Sequence, residues 1–198
     1  MHVGIDFDNT IVCYDRLFHK VCFEAGLIPQ EIPPNKSAVR DYLRAEGKED
    51  DWTELQGLVY GPRIVEANSF EGVRSFIKTV KSSGHCVSVV SHKTKYPYRG
   101  EQHDLHAAAM EFLEEHGFFQ NDLLSADHVY LEPSKESKAN RIGEIKCDWF
   151  IDDLPEFLKM VKKPEGIKRV LFDPNDVHEN SPSWSRVSSW AEITEVIC

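Results

Sequence analysis

HVGIDFDNT, residues His2–Thr10, decides how this sequence is read. Val3, Ile5 and Phe7 alternate with small or polar residues, and the apolar character stops at two acids, Asp6 and Asp8. A short apolar run bounded by polar residues reads as a buried strand. Its carboxyl end therefore carries two carboxylates at i and i+2, which can face one site. One can attack phosphorus while the other supplies and removes protons. The same pair can also serve only as turn or helix-capping aspartates.

Working outward, Tyr14–Gly26 reads as a helix stopped by Gly26, and 28–35, with Pro29, Pro33 and Pro34, is irregular. Lys36–Leu58 reads as two polar helices broken near Gly47, and Phe70–Ser83 as a helix ended by Gly84. Further strands are expected at Cys86–Val90, His128–Leu131, Asp148–Ile151 and Arg169–Phe172. Helices are expected at His103–Gly117, Lys138–Ile145, Leu154–Val161 and Trp190–Val196. Strands alternating with helices imply an α/β fold, a parallel sheet of about five strands in a three-layer α/β/α Rossmann-like core. Residues 1–12 and 70–198 form that core. Residues 13–69 form a small helical cap, expected as a lid over the strand ends.

Three more signals fall near the ends of later strands, the edge where open α/β sheets bind ligands. Ser91 follows CVSVV and can donate to a phosphoryl oxygen, or simply make a turn. Lys138 opens a helix, where an ammonium and a helix N-terminus together suit an anion; Lys135 competes for that role. Asp152 and Asp153 end the run FIDD. Adjacent acids repel unless a cation compensates, and with Asp6 they make an oxygen-rich set of the kind magnesium prefers; helix capping is the plainer alternative.

The order and spacing of these four motifs resemble the haloacid dehalogenase-like hydrolases over nearly the whole chain. The resemblance implies a phosphatase in which Asp6 forms a phosphoaspartyl intermediate and binds Mg2+. It makes Asp8 the general acid and base, with its backbone carbonyl on the metal and an environment that raises its pKa. Thr10 steadies the motif loop and is grouped with Ser91 and Lys138 as phosphate-binding, and Asp152 and Asp153 complete the metal site. Dehalogenating members lack an acid at the position of Asp8, so its presence favours phosphoryl transfer.

The segment Ser91–Gly100 places His92, Lys93 and Arg99 beside the phosphate motif as candidate substrate-binding residues, with Lys93 or Arg99 reading a second anionic group. A solvated loop accounts for them equally well. Tyr14, Arg16 and 60–63 are cap candidates. His103 and His106 lack a third ligand and read as capping or surface residues.

Composition bounds the partners. A formal net charge of -10 argues against general nucleic-acid binding, but not against a small phosphorylated metabolite. No apolar run is long enough for a membrane helix, and MHVGIDFDNT is not a signal peptide. Five cysteines without metal-ligand spacing read as reduced thiols in the cytoplasm, with Cys86 and Cys147 as packing residues. A phosphotransferase or phosphomutase, or an idle binding module, would share these motifs. Oligomeric state is not readable.

Overall fold

A computed structural model describes all 198 residues. Strands β1 (His2–Ile5), β2 (Val12–Cys13) and β3 (Asn68–Ser69) precede β4 (Cys86–His92), β5 (Val129–Glu132), β6 (Trp149–Asp152), β7 (Lys168–Phe172) and β8 (Ser185–Val187). The helices are α1 (Asp15–Glu24), α2 (Lys36–Ala45), α3 (Glu49–Tyr60), α4 (Val73–Ser82), α5 (Leu105–Glu115), α6 (Lys135–Glu144), α7 (Pro155–Met160) and α8 (Trp190–Ile197). Six strands form one parallel sheet in the order β5-β4-β1-β6-β7-β8. The sixth, β8, was not expected. It is three residues long with one buried position, too short to carry a periodic signal.

The chain divides into two units. The first comprises Met1–Val12, Ser69–Lys93 and Gly117–Cys198. The second comprises Cys13–Asn68 and Thr94–His116. The stretch 94–116, expected in the core, therefore clusters with residues 13–68 in the second unit. Leu105, Ala108, Ala109, Phe112 and Leu113 of α5 are buried, and His116 Nε2 hydrogen bonds the Ala67 carbonyl within that unit. Apolar periodicity shows that a helix buries one face, but not against which partner.

In the first unit β1 is central: Val3 and Ile5 are fully buried on one face, and on the other Gly4 lies under Phe150 and Cys147. On one face Val90, Phe150 and Leu171 of the sheet pack with Ile142 of α6 and Phe157 and Leu158 of α7. On the other, Phe76 of α4 and Phe172 of β7 close on Trp190 of α8, with ring centroids 5.2 and 5.7 Å apart. Gly4 lets the layers approach. A Cβ there would lie 2.7 Å from the Phe150 ring and 2.9 Å from Cys147 Sγ. Cys147 is buried as expected; Cys86 is exposed, because it starts β4 at the open end of the strand.

The second unit has its own apolar centre. Phe18 of α1 packs on Trp52 of α3 and on Tyr60, at centroid distances of 4.8 and 5.6 Å, and Tyr14 meets Tyr60 at 4.9 Å. Gly47, at φ +70, makes the break between α2 and α3. No helix is long and apolar enough to cross a membrane.

Candidate active site

Parallel register brings the motifs together. Ile5 aligns with Val89 of β4 and with Ile151 of β6, and the Asp6 amide still donates to the Ile151 carbonyl at 2.9 Å. Asp6 thus leaves the sheet between the ends of β4 and β6, with Ser91 two residues beyond one neighbour and Asp152 one beyond the other. Successive connections leave β1 and β6 in opposite directions along the sheet, so this is the crevice where a doubly wound sheet opens.

The loop after β1 is built for a sharp turn. The Phe7 carbonyl accepts from both the Ile11 and Val12 amides at 3.0 Å, and Asn9 sits at φ 57. Asparagine is among the few side chains that tolerate the left-handed region. The turn carries Asp6 and Asp8 out of the core while Phe7 between them stays fully buried.

Asp6 Oδ1 accepts from the Ser91 hydroxyl at 2.9 Å and from Lys138 Nζ at 2.5 Å. Its second oxygen, Oδ2, takes no side-chain hydrogen bond. Lys138 Nζ also reaches Asp152 Oδ2 at 2.6 Å, and the ammonium lies 4.1 Å from the centre of the Phe157 ring. Carboxylate oxygens of Asp6, Asp152 and Asp153 lie within 4.8 Å of one another. Asp152 is oriented through its other oxygen, which accepts from the Leu154 amide at 2.8 Å.

Neither family profiles nor curated protein sequences give a match. Solved structures do. A magnesium-bound HAD hydrolase of Bacillus subtilis, YfnB, superposes with a TM-score of 0.61 at 14% identity, covering 99% of this chain and 97% of that one. A HAD phosphatase of Thermococcus onnurineus gives 0.57 at 13% identity, over 99% and 97%. A HAD family hydrolase of Deinococcus radiodurans with bound phosphate and sodium gives 0.56 at 16% identity, over 97% and 92%. The fold is haloacid dehalogenase-like. At these identities the likeness extends to the fold, and the chemistry has to be argued from this chain's own residues.

Within that haloacid dehalogenase-like core, Ser91 is not beyond β4 but its penultimate residue. The reason is that β5 continues to pair with β4 after β1 has ended, with Ser91 opposite Leu131 and His92 opposite Glu132. Lys138 does not open α6 either. The helix starts at Lys135, capped by Ser134, whose hydroxyl accepts from the Ser137 amide at 3.0 Å while the Ser137 hydroxyl returns to the Ser134 amide. Lys138 stands one turn in, its own amide bonded to the Ser134 carbonyl, so it offers an ammonium without the free amides of a helix start. Lys135 pairs with Glu156 at 3.6 Å, its side chain 41% exposed.

Thr10 is fully buried and its hydroxyl has no partner. The loop is steadied by the Phe7 carbonyl and by Asn9 instead. Lys93 is buried, and its ammonium donates to both oxygens of Asp8 at 2.9 Å. An ion pair favours the charged form of a carboxylate, which is the opposite of the proton-holding environment expected around Asp8. His92 is half-buried, and burial, then the charge of Lys138, pushes its pKa down. Arg99 lies in the second unit, paired with Asp50 at 2.9 Å. Tyr14 is buried there as well, and Arg63 is tied to Glu24 and Glu66. His103 sits near Glu101, and the cap of α5 is Asp104, which accepts from the His106 and Ala107 amides.

Burial pushes the Asp152 carboxyl well above the usual carboxylate range, with the Lys138 ammonium opposing and the charge of Asp6 adding to the rise. Burial alone would lower Lys138, but Asp152 and Asp6 outweigh it and hold the ammonium charged. Asp6 and Asp152 share Lys138, and Asp153 adds a third carboxylate within 4.8 Å of them, the oxygen-rich set a divalent cation favours.

Proposed function

We propose that this chain is a magnesium-dependent phosphatase that hydrolyses a small phosphorylated metabolite through a phosphoaspartyl intermediate on Asp6. The observation that carries the reading is the asymmetry of Asp6. One oxygen is fixed by Ser91 and Lys138, and the other has no side-chain donor. A carboxylate so held presents one lone-pair-bearing oxygen in a set direction, which is the geometry of a positioned nucleophile.

Asp6, Asp152 and Asp153 through their carboxylates, and Asp8 through its backbone carbonyl, are the groups that would hold Mg2+. When bound, the ion would offset carboxylate charge and polarise a phosphoryl oxygen. That the YfnB structure is bound to magnesium and the Deinococcus radiodurans structure holds phosphate supports a reading with a metal and a phosphorylated ligand. Asp6 Oδ2 attacks phosphorus and the bond to the leaving oxygen breaks. Asp8, a carboxylate while paired with Lys93, must first lose that pairing and take a proton from solvent; it then gives this proton to the leaving oxygen and takes one back from the water that cleaves the acyl phosphate. Ser91 and Lys138 stabilise the charge that develops on the non-bridging oxygens. We read His92 and Arg99 as candidate substrate-binding residues, and the reduced thiols as suited to the cytoplasm.

Phosphate release from a panel of phosphorylated metabolites, with and without Mg2+, tests this beside Asp6→Asn. The expected result is release that requires both the metal and Asp6, with the variant reduced by roughly a thousandfold or more, the scale on which loss of a covalent nucleophile acts. Asp6→Asn turning over at the wild-type rate, or metal-independent release, would overturn the mechanism.

A further inference from the structure

Lys93 is used by no step of that chemistry, yet it is one of only two buried lysines. Its backbone is pinned, since its amide donates to the Glu132 carbonyl at 2.8 Å. It stands two residues after Ser91, just past the end of β4, and because its amide bond to Glu132 continues the ladder, the strand's alternation carries both side chains to the same side. Its ammonium lies 5.4 Å from the centre of the Phe7 ring and gives hydrogen bonds to both Asp8 oxygens at 2.9 Å. The two buried ammoniums thus flank the DFD turn in parallel fashion. Lys138 sits on Asp6 and over Phe157, and Lys93 sits on Asp8 and over Phe7.

The burial of the pair is uneven. The Lys93 side chain is 3% exposed and that of Asp8 23%. The carboxylate keeps contact with water while the ammonium does not, which avoids part of the desolvation that burying both charges would cost. Here the acid faces outward and the base lies beneath it, at the end of a strand that also presents Ser91 to Asp6. A phosphoryl group attacked by Asp6 Oδ2 and held by Ser91 brings its non-bridging oxygens to the same side of the turn. Against a dianion, a singly charged carboxylate is the weaker partner for an ammonium.

We propose, on the strength of the phosphatase reading above, that Lys93 is a second phosphoryl ligand that Asp8 occupies at rest. On entry of a phosphomonoester dianion the ammonium turns from one Asp8 oxygen to a non-bridging phosphoryl oxygen. The released Asp8 oxygen then faces the leaving oxygen. Lys93 so links occupancy of the site to the placement of Asp8, and it favours a terminal phosphomonoester over a singly charged diester.

The test is calorimetric titration with inorganic phosphate at saturating Mg2+, on the full chain, for wild type, Asp8→Asn, Lys93→Met and the double variant. Asp8→Asn removes the resting competitor and leaves the ammonium in place, so phosphate should bind about tenfold more tightly than to wild type. The double variant should lose that gain and bind at least about tenfold more weakly than Asp8→Asn. Because the double variant removes both charges of the pair, it stays informative if Lys93→Met alone fails to fold. Kinetics supply a second readout. Lys93→Met should raise KM and the phosphate inhibition constant together, and Lys93→Arg should restore both in part. Phosphate affinity that is the same with and without Lys93 in the Asp8→Asn background would overturn the proposal, even where wild-type hydrolysis depends on Asp6. Wild type that neither binds phosphate nor hydrolyses any monoester would overturn the phosphatase reading and this inference with it.

Discussion

Lys138 and Lys135 differ by three positions and by their whole environment. The first is buried between Asp6 and Asp152; the second is on the surface with a 3.6 Å contact to Glu156. Truncating a buried charge leaves its partners unpaired, at about 3–5 kcal/mol, whereas an exposed pair contributes about 0–1 kcal/mol. Lys138→Met is therefore expected to lose most activity and to lower the urea midpoint substantially, and Lys135→Met to change either little. Activity assays and urea unfolding on both variants check this, and comparable losses from the two would show that the wrong lysine has been placed on the nucleophile. The sequence contained both lysines and could rank them only by position. What separates them is the capping box at Ser134, which starts α6 a turn earlier than apolar spacing indicates and so aims Lys138 inward.

At the scale of elements, α6 works as the arm that holds Lys138 against β1 and β6. Its N-cap is accordingly a remote part of the site. Ser134→Ala removes the hydroxyl that accepts from the Ser137 amide, a change of about 1 kcal/mol in stability. Fraying the first turn should also lower kcat by more than it alters KM, since Lys138 positions Asp6. Thermal unfolding beside steady-state kinetics reads both; a variant with the stability loss and wild-type kcat would show that the first turn does not position the lysine. The element scale also explains the late strand boundary at His92. Residues Cys86–Val89 of β4 pair with β1, and pairing with β5 from Val89 onward carries the strand to His92, and so to the residues that matter chemically.

Across the whole molecule, the amino edge of the sheet is tied by His2. Its Nδ1 lies 2.8 Å from the Ile145 carbonyl and must donate, which leaves Nε2 to accept from the Ser88 hydroxyl at 2.8 Å. Burial lowers the pKa of this imidazole below its ordinary value of 6.5, and His92 shifts in the same direction. The folded state then binds fewer protons than the unfolded state between the lowered pKa and 6.5, so stability rises with pH across that window and is lost as pH falls below 6.5. Urea unfolding from pH 7.5 down to about pH 5 should show this loss, and His2→Gln should flatten part of it. An unchanged slope in that variant would assign the dependence to His92 or to other groups.

The sequence by itself determined the parallel α/β core and the site's chemical cast, because both are local. Apolar runs ending in polar residues fix strands and their carboxyl ends, and motifs at those ends meet once the strands lie in parallel register. Asp6, Ser91 and Asp152 are adjacent for that reason alone. Tertiary structure decided what pattern cannot encode. The helix at 105–115 joins α1, α2 and α3 in the second unit, because amphipathic spacing specifies a buried face and not its partner. Thr10 is buried with no partner instead of bonding the loop. Asp8 is paired with Lys93 across 85 positions of chain, a contact that exists only once β4 lies beside β1.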